Sequence, residues 1–274
     1  MPELPEVEVT RQGIAPVLLG RRASGALARV PALRYPLPAD LARRLAGQEL
    51  LAIRRRGKYL LLDFGTGHLL IHLGMSGSLR LVPASRAPEK HDHLDLLFGQ
   101  GRTALALRLR DPRRFGAVLW LEGAPEAHPL LAVLGIEPLD ETFTPRWLFE
   151  TTRGLTAAIK TALMDSHRLV GVGNIYASES LFRAGINPRT PAGKISLVRY
   201  GRLVPAIKAT LNEAIAAGGS SLRDFVNSDG TSGYFQLQTF VYGREGQACR
   251  HCGGVIRMFR QGQRATYYCP RCQR

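Results

Sequence analysis

The C-terminal stretch CRHCGGVIRMFRQGQRATYYCPRC, residues 249–272, sets two CxxC pairs, Cys249/Cys252 and Cys269/Cys272, on either side of a sixteen-residue segment that carries Arg257, Arg260 and Arg264. A tight CxxC turn brings two thiolates about one Zn–S bond from a common point, and two such turns complete a tetrahedron. These are the only cysteines in the chain. A pair of disulfides is the alternative, but a CxxC doublet is poor disulfide geometry and no apolar signal segment marks the chain for an oxidising compartment. The pattern therefore predicts one structural Zn2+ ion, because four thiolates leave no position open for water. The spacer between the pinned ends reads as a hairpin with a basic tip, which suits nucleic acid.

The remaining sequence shares this positive charge. The chain of 274 residues holds 37 Lys and Arg against 22 Asp and Glu, a net charge of +15, and its pI is about 10.4. Neutralising phosphates releases counterions, so such a chain is expected to bind a polyanion. Only five of the cations are lysines, Lys58, Lys90, Lys160, Lys194 and Lys208. Arginine suits bidentate phosphate contacts. An Arg-rich coding bias explains that ratio equally well, though not the net charge. A hydrophobic content of 45% belongs to a folded protein, and the length allows two or three units with cores of their own. No run of eighteen apolar residues occurs, so a cytoplasmic protein that makes no use of a membrane is expected.

The segment from Glu3 to about Leu19 opens with acidic residues and keeps Val7, Ile14 and Leu18 near one face, a helical pattern that Gly13 and Pro16 should fray or bend at its end. Short apolar runs follow, at Leu50 to Ile53, Tyr59 to Phe64, His68 to Leu73, Ser78 to Val82, Leu94 to Phe98, Thr103 to Leu109 and Ala117 to Leu121. Their spacing predicts about eight strands in a sandwich or barrel. Beyond Glu122 to Pro129 the period becomes helical, over Trp147 to Thr152, Ala157 to Met164, Ile175 to Ala184 and Ser196 to Ala217, with Gly185 and Gly218 as stops and Pro205 kinking or splitting the last helix. The polar stretch from Gly218 to Gln236 is long enough to be functional or disordered.

Several local patterns could carry chemistry. In Val170-Gly171-Val172-Gly173-Asn174 a glycine turn precedes a helix and could hold a phosphate, although such turns often only connect helices. Asp111-Pro112-Arg113-Arg114-Phe115 could drive an Arg and a Phe into a base stack to replace a displaced base. Local sequence favours an ordinary turn with Phe115 in the core, and Met75, on the turn Gly74 to Gly77, shares the ambiguity. His91-Asp92-His93 resembles a metal motif, yet alternation along a strand and phosphate contact are simpler readings. Pro2, once Met1 is removed, is a free secondary amine that can condense with a sugar aldehyde carbon to give an iminium cation, with Glu3 and Glu6 beside it as acid or base. Read locally, Pro-Glu at a helix start is simply good capping.

Taken together, MPELPEVE, the Gly57-Lys58-Tyr59 turn, IHLGMSGSL, EKHDH, DPRRFG, GVGNIYASES, SDGTSGYFQ and the four-cysteine tail resemble the bacterial formamidopyrimidine-DNA glycosylase family over essentially the whole chain. The resemblance implies an α+β multidomain protein: an N-terminal catalytic β-sandwich with a leading helix over 1–130, a helix-two-turn-helix domain over 131–238, and a zinc finger over 239–274. It implies a bifunctional glycosylase and AP lyase of base excision repair, monomeric, acting on double-stranded DNA that contains 8-oxoguanine or a formamidopyrimidine. Pro2 would attack C1′ and form a Schiff base. Glu3 would assist ring opening, supported by Glu6, while Lys58 would serve β-elimination and Arg264 δ-elimination. Met75, Arg113 and Phe115 would fill the void, and His72, His91, Lys160 and Asn174 would contact DNA. The loop 218–236 would fold over the extruded base. The zinc hairpin would aim Arg264 at the lesion that Pro2 attacks.

His167-Arg168 and Thr156 depart from the family pattern. Arg153 lies close enough in sequence to replace the basic contact usual near Thr156. Two other readings stand beside the purine enzyme: an endonuclease VIII type directed at oxidised pyrimidines, and a zinc DNA-binding protein without catalysis. PELPE and the intact DPRRF turn favour the purine enzyme.

Overall fold

The computed structural model describes residues 2–219 and 239–274. Contacts group the described residues into two compact units, 2–132 with 217–219, and 133–216 with 239–274.

The first unit opens with helix α1 (Leu4–Leu18). Strand β1 (Ala23–Ala28) and the short helix α2 (Leu41–Leu45) follow. Seven further strands come next: β2 (Ala52–Arg56), β3 (Tyr59–Asp63), β4 (His68–His72), β5 (Ser78–Pro83), β6 (Asp92–Phe98), β7 (Leu105–Arg110) and β8 (Ala117–Leu121). Two four-stranded antiparallel sheets result, in the orders β1-β6-β7-β5 and β2-β3-β4-β8. Their inner residues alternate along the strands, Leu60 and Leu62, Leu69 and Ile71, Leu94, Leu96 and Phe98, Leu107 and Leu109, and share one core with Val7, Ile14 and Leu18 of α1. Every second residue of these strands enters one core shared by both sheets, which is the signature of a sandwich.

Helix α3 (Pro129–Ala132) ends this unit. The second contains α4 (Pro145–Thr152), α5 (Ile159–Leu163), α6 (Asn174–Arg183) and α7 (Leu197–Ala216), then strands β9 (Arg257–Gln261) and β10 (Arg264–Tyr268). Thr144 caps α4 by accepting from the Trp147 N–H at 3.1 Å, and Pro145 occupies the first turn, where its missing N–H costs nothing. Gly185 closes α6 as expected: its N–H donates to the Phe182 carbonyl and the Ile186 N–H to that of Leu181, the paired bonds of a Schellman stop.

Three expectations change. Strand β1, ASGALA, was not among the predicted runs, because a strand of small residues with half its positions exposed shows no apolar alternation. The strand read at Leu50 to Ile53 runs instead from Ala52 to Arg56. Pro205 does not split α7, which runs unbroken from Leu197 to Ala216. The clash partner of Pro205 is the carbonyl four residues back, on Gly201, and both residues are exposed, so water can take the orphaned carbonyl.

Candidate active site and nucleic-acid interface

Pro2 and Glu3 are buried where α1 begins. Glu3 is the N-cap and Glu6 the third helical residue. The Glu6 carboxylate accepts from the Glu3 N–H at 2.7 Å, and the reciprocal half of the capping box is also formed. The bonds that start the helix also fix two carboxyl groups, 2% and 0% exposed, beside Pro2. Of the loop 218–236, everything past Gly219 lies outside the described residues. A Cβ on Gly219 would stand 3.4 Å from Glu6 Oε1, so the root of that segment lies against Glu6.

Lys58 sits on the β2–β3 turn, which Arg55 ties to α1. Arg55 pairs with Glu8 at 3.1 Å and donates to the Gly57 carbonyl at 3.0 Å. His72, paired in register with Tyr59, lies alongside with ring centroids 4.8 Å apart. Burial, then the charges of Lys58 and Arg34, lower the His72 pKa to about 4. The ring is neutral at pH 7, and Nδ1 accepts from the Gly74 N–H at 3.1 Å, which leaves Nε2–H to donate. His72 can thus give a hydrogen bond to a phosphate without bringing a charge.

Met75 and Phe115 are 39% and 47% exposed, and the Arg113 guanidinium lies 4.8 Å over the Phe115 ring. Phe115 is not the core residue that its local sequence favours. His91 precedes β6 with φ +75°, while His93 is buried and its Nε2 is 3.0 Å from the Asp111 carbonyl. The two imidazoles are neighbours, with ring centroids 6.2 Å apart and edge to face.

In the second unit the Gly171 to Asn174 turn stands at the N-terminus of α6, as expected. Asn174 donates through Nδ2 to the Ala265 carbonyl at 3.0 Å. Lys160 departs from the surface position of a phosphate contact. It is 2% exposed, and its ammonium donates to the Ala265 carbonyl at 3.1 Å and to Thr266 Oγ1 at 2.7 Å. The Arg153 guanidinium lies 3.9 Å over Phe149 and donates to the Phe149, Ala192 and Ile195 carbonyls.

Strands β9 and β10 pair from Arg264↔Gln261 to Tyr268↔Arg257, joined by the two-residue loop Gly262-Gln263. Gly262 takes φ +58°, as the first central position of a type II′ hairpin requires. Arg264 therefore begins β10 at an exposed tip. At the other end the four Sγ atoms lie within 4.8 Å of one another. Cys249 to Cys272 is 3.9 Å and Cys252 to Cys269 is 3.5 Å, against about 3.8 Å for the edge of a ZnS4 tetrahedron with 2.3 Å bonds. The donor set fits Zn2+, and all four cysteines are free of disulfides. Among the described residues this is the one cluster of His, Cys, Asp and Glu suited to a metal.

Family models match three consecutive stretches: the formamidopyrimidine-DNA glycosylase N-terminal domain over residues 1–118, its H2TH domain over 134–226, and the zinc finger found in FPG and IleRS over 246–274. The formamidopyrimidine-DNA glycosylase of Aromatoleum aromaticum is 60% identical over 274 residues, all of both chains. The chain belongs to the formamidopyrimidine-DNA glycosylase family. Its four cysteines hold the single structural Zn2+ of that family's finger. The Acidithiobacillus ferrooxidans enzyme is 58% identical over both full lengths. Among solved structures, MutM (Fpg) of Thermus thermophilus superposes with a TM-score of 0.87 at 38% identity, covering 99% of this chain and 98% of that one. Lactococcus lactis Fpg in complex with Fapy-dG DNA gives 0.89 at 32% identity, covering 99% and 100%.

Within this glycosylase fold, one residue escaped the sequence reading. Glu179 is wholly buried, and its carboxylate accepts from the N–H groups of Phe240, Val241 and Tyr242 at 2.8, 3.0 and 2.8 Å. Burial raises its pKa against the pull of those three bonds. It anchors the chain that enters the zinc finger. The available signal was an acid on the apolar face of α6, in step with Ile175 and Phe182.

Proposed function

We propose that this glycosylase excises oxidised purines, 8-oxoguanine and formamidopyrimidines, from double-stranded DNA through a Schiff base at Pro2 and then cleaves the backbone by β- and δ-elimination. The observation that carries this is the N-terminus of α1, where the capping box buries Glu3 and Glu6 beside Pro2. Removal of Met1 frees the Pro2 amine, which attacks C1′; the glycosidic bond breaks and the base departs with a proton. Glu3 delivers a proton to the ring oxygen as the sugar opens, and the iminium is an electron sink. Loss of a C2′ proton then expels the 3′ phosphate, assisted by Lys58. Arg264 serves the second elimination, which frees the 5′ phosphate. His72, His91 and Asn174 hold the flanking backbone, and Met75, Arg113 and Phe115 occupy the space the extruded nucleotide leaves. The parts are a catalytic sandwich over 1–130, a helix-two-turn-helix over 131–238 and a finger over 239–274, in a cytoplasmic monomer.

Lactococcus lactis Fpg has been solved with abasic-site DNA as well as Fapy-dG DNA, which supports both halves of the reaction. Among the described residues no helix is long and apolar enough to cross a membrane. Borohydride should trap the processed protein covalently on an 8-oxoguanine duplex, and Pro2→Gly should lose most of that adduct. No adduct with the processed wild type would sink the Schiff-base mechanism. Faster excision of thymine glycol than of 8-oxoguanine would move the substrate to oxidised pyrimidines.

A further inference from the structure

We infer that Asp111 and Ser76 form a buried clamp that makes the loops Leu73–Gly77 and Asp111–Gly116 act as one piece, and so set the positions of Met75, Arg113 and Phe115. The inference rests on the reading of those three side chains as the group that fills the void.

Asp111 is 0% exposed and Ser76 is 2% exposed, so neither can touch a base. The two carboxylate oxygens of Asp111 are divided between the loops. Oδ1 accepts from the Ser76 hydroxyl at 2.9 Å, and Oδ2 accepts from the Gly116 N–H at 2.8 Å. Ser76 Oγ in turn accepts from the Arg113 N–H at 3.2 Å, which closes a circuit through both loops. The Asp111 backbone is fixed as well: its N–H donates to the His91 carbonyl at 3.0 Å, and its own carbonyl meets His93 Nε2 at 3.0 Å. The loops are also in direct backbone contact at Gly74, where φ is +63° and an added Cβ would come within 2.4 Å of Phe115 C and 2.5 Å of Gly116 N.

Such a device has a physical purpose. Met75 sits on one loop and Arg113 with Phe115 on the other, all exposed. Three solvated side chains cannot hold a common geometry against the entropy of two loops. A wedge must nevertheless arrive as one body if it is to replace a stacked base. One carboxylate with two acceptor oxygens is the smallest group that can tie both loops, and desolvating it is offset by the donors it faces. Ser76 and Asp111 are thus positioning residues that act through the wedge.

The test uses full-length, zinc-loaded protein with Met1 removed, in single turnover on two duplexes, one with 8-oxoguanine and one with a preformed abasic site that has no base to displace. Ser76→Ala, which leaves the Arg113 N–H without this acceptor and Asp111 Oδ1 without this donor, should slow the lesion duplex about 10-fold and leave the abasic duplex within about 2-fold. The fluorescence of 2-aminopurine beside the lesion should report the wedge arriving late by the same factor. Asp111→Ala should do more, and Asp111→Asn, which keeps an acceptor for Gly116 and a donor for Ser76, should recover much of the rate. Equal losses on both duplexes would mean general damage and overturn the clamp. Wild-type rates in Ser76→Ala and Asp111→Ala, with Phe115→Ala impaired, would overturn the clamp alone. A wild-type rate in Phe115→Ala would overturn the void-filling reading beneath it.

Discussion

Lys160 shows how far a residue's role depends on partners remote in sequence. The family resemblance implies a DNA contact for this lysine of AAIKTALM, yet the groups that hold it, Ala265 and Thr266, lie more than a hundred positions away. Burying an ammonium is tolerable only with such acceptors. Because Ala265 adjoins Arg264, the buried lysine together with Asn174 fixes where the hairpin tip begins. Lys160→Met keeps the volume and removes the charge, leaving the Thr266 hydroxyl short of a partner at a cost of about 1–3 kcal/mol. Lesion processing should fall. The slope of log K against log salt for DNA should not change, whereas removing a phosphate contact would lower it by about 0.9. A lower slope would return Lys160 to the DNA.

At the level of elements, legibility followed the kind of signal each one carries. Seven of the eight strands in the sandwich announced themselves through apolar runs, because their inner faces meet in one core. Strand β1 did not, since its ladder to β6 is formed by backbone groups that any residue possesses. The start of α1 was half legible: Glu3 and Glu6 look like caps and are caps, and only the company of Pro2 gives them the second meaning proposed above. The zinc hairpin was the plainest element of all, because thiolate spacing is dictated by metal geometry. Its core is small, with Cys249, Ile256 and Cys269 buried against Phe182 and Val241, so the metal supplies most of what holds it. Stripping Zn2+, or Cys249→Ser, should abolish tight DNA binding and expose β9–β10 to proteolysis. Arg264→Ala with zinc retained should leave the hairpin protected and slow strand cleavage. Full lesion turnover after complete zinc removal, confirmed by metal analysis, would contradict this division of labour.

Across the whole molecule, a chain with charge +15 repels itself more strongly as pH falls, and two buried groups in the first unit should add separate steps to that trend. His72 has a folded pKa of about 4 against 6.5 when free. Between those values the unfolded chain binds the extra proton, so stability is lost as pH drops from about 6.5 to about 4, by up to about 3 kcal/mol, and the loss levels off below. Asp95 behaves oppositely in range. Burial pushes its carboxyl up, but Arg108 and Arg29 outweigh burial and hold it below 3.8. Arg108 contacts it through Nε at 2.8 Å and the other amino group at 2.9 Å. That contribution is intact above pH 3.8 and disappears only as pH falls through the lowered value. Self-repulsion is common to all variants, so differences between melting curves isolate each group. His72→Asn, whose side-chain oxygen can still accept from the Gly74 N–H, should flatten the decline of Tm between pH 6.5 and 4 and leave the lower limb unchanged. Asp95→Asn should lower Tm at pH 7 and flatten the limb below pH 4. Parallel wild-type and His72→Asn curves from pH 6.5 to 4 would show that His72 is not held neutral, and a neutral donor to phosphate at that position would have to be abandoned.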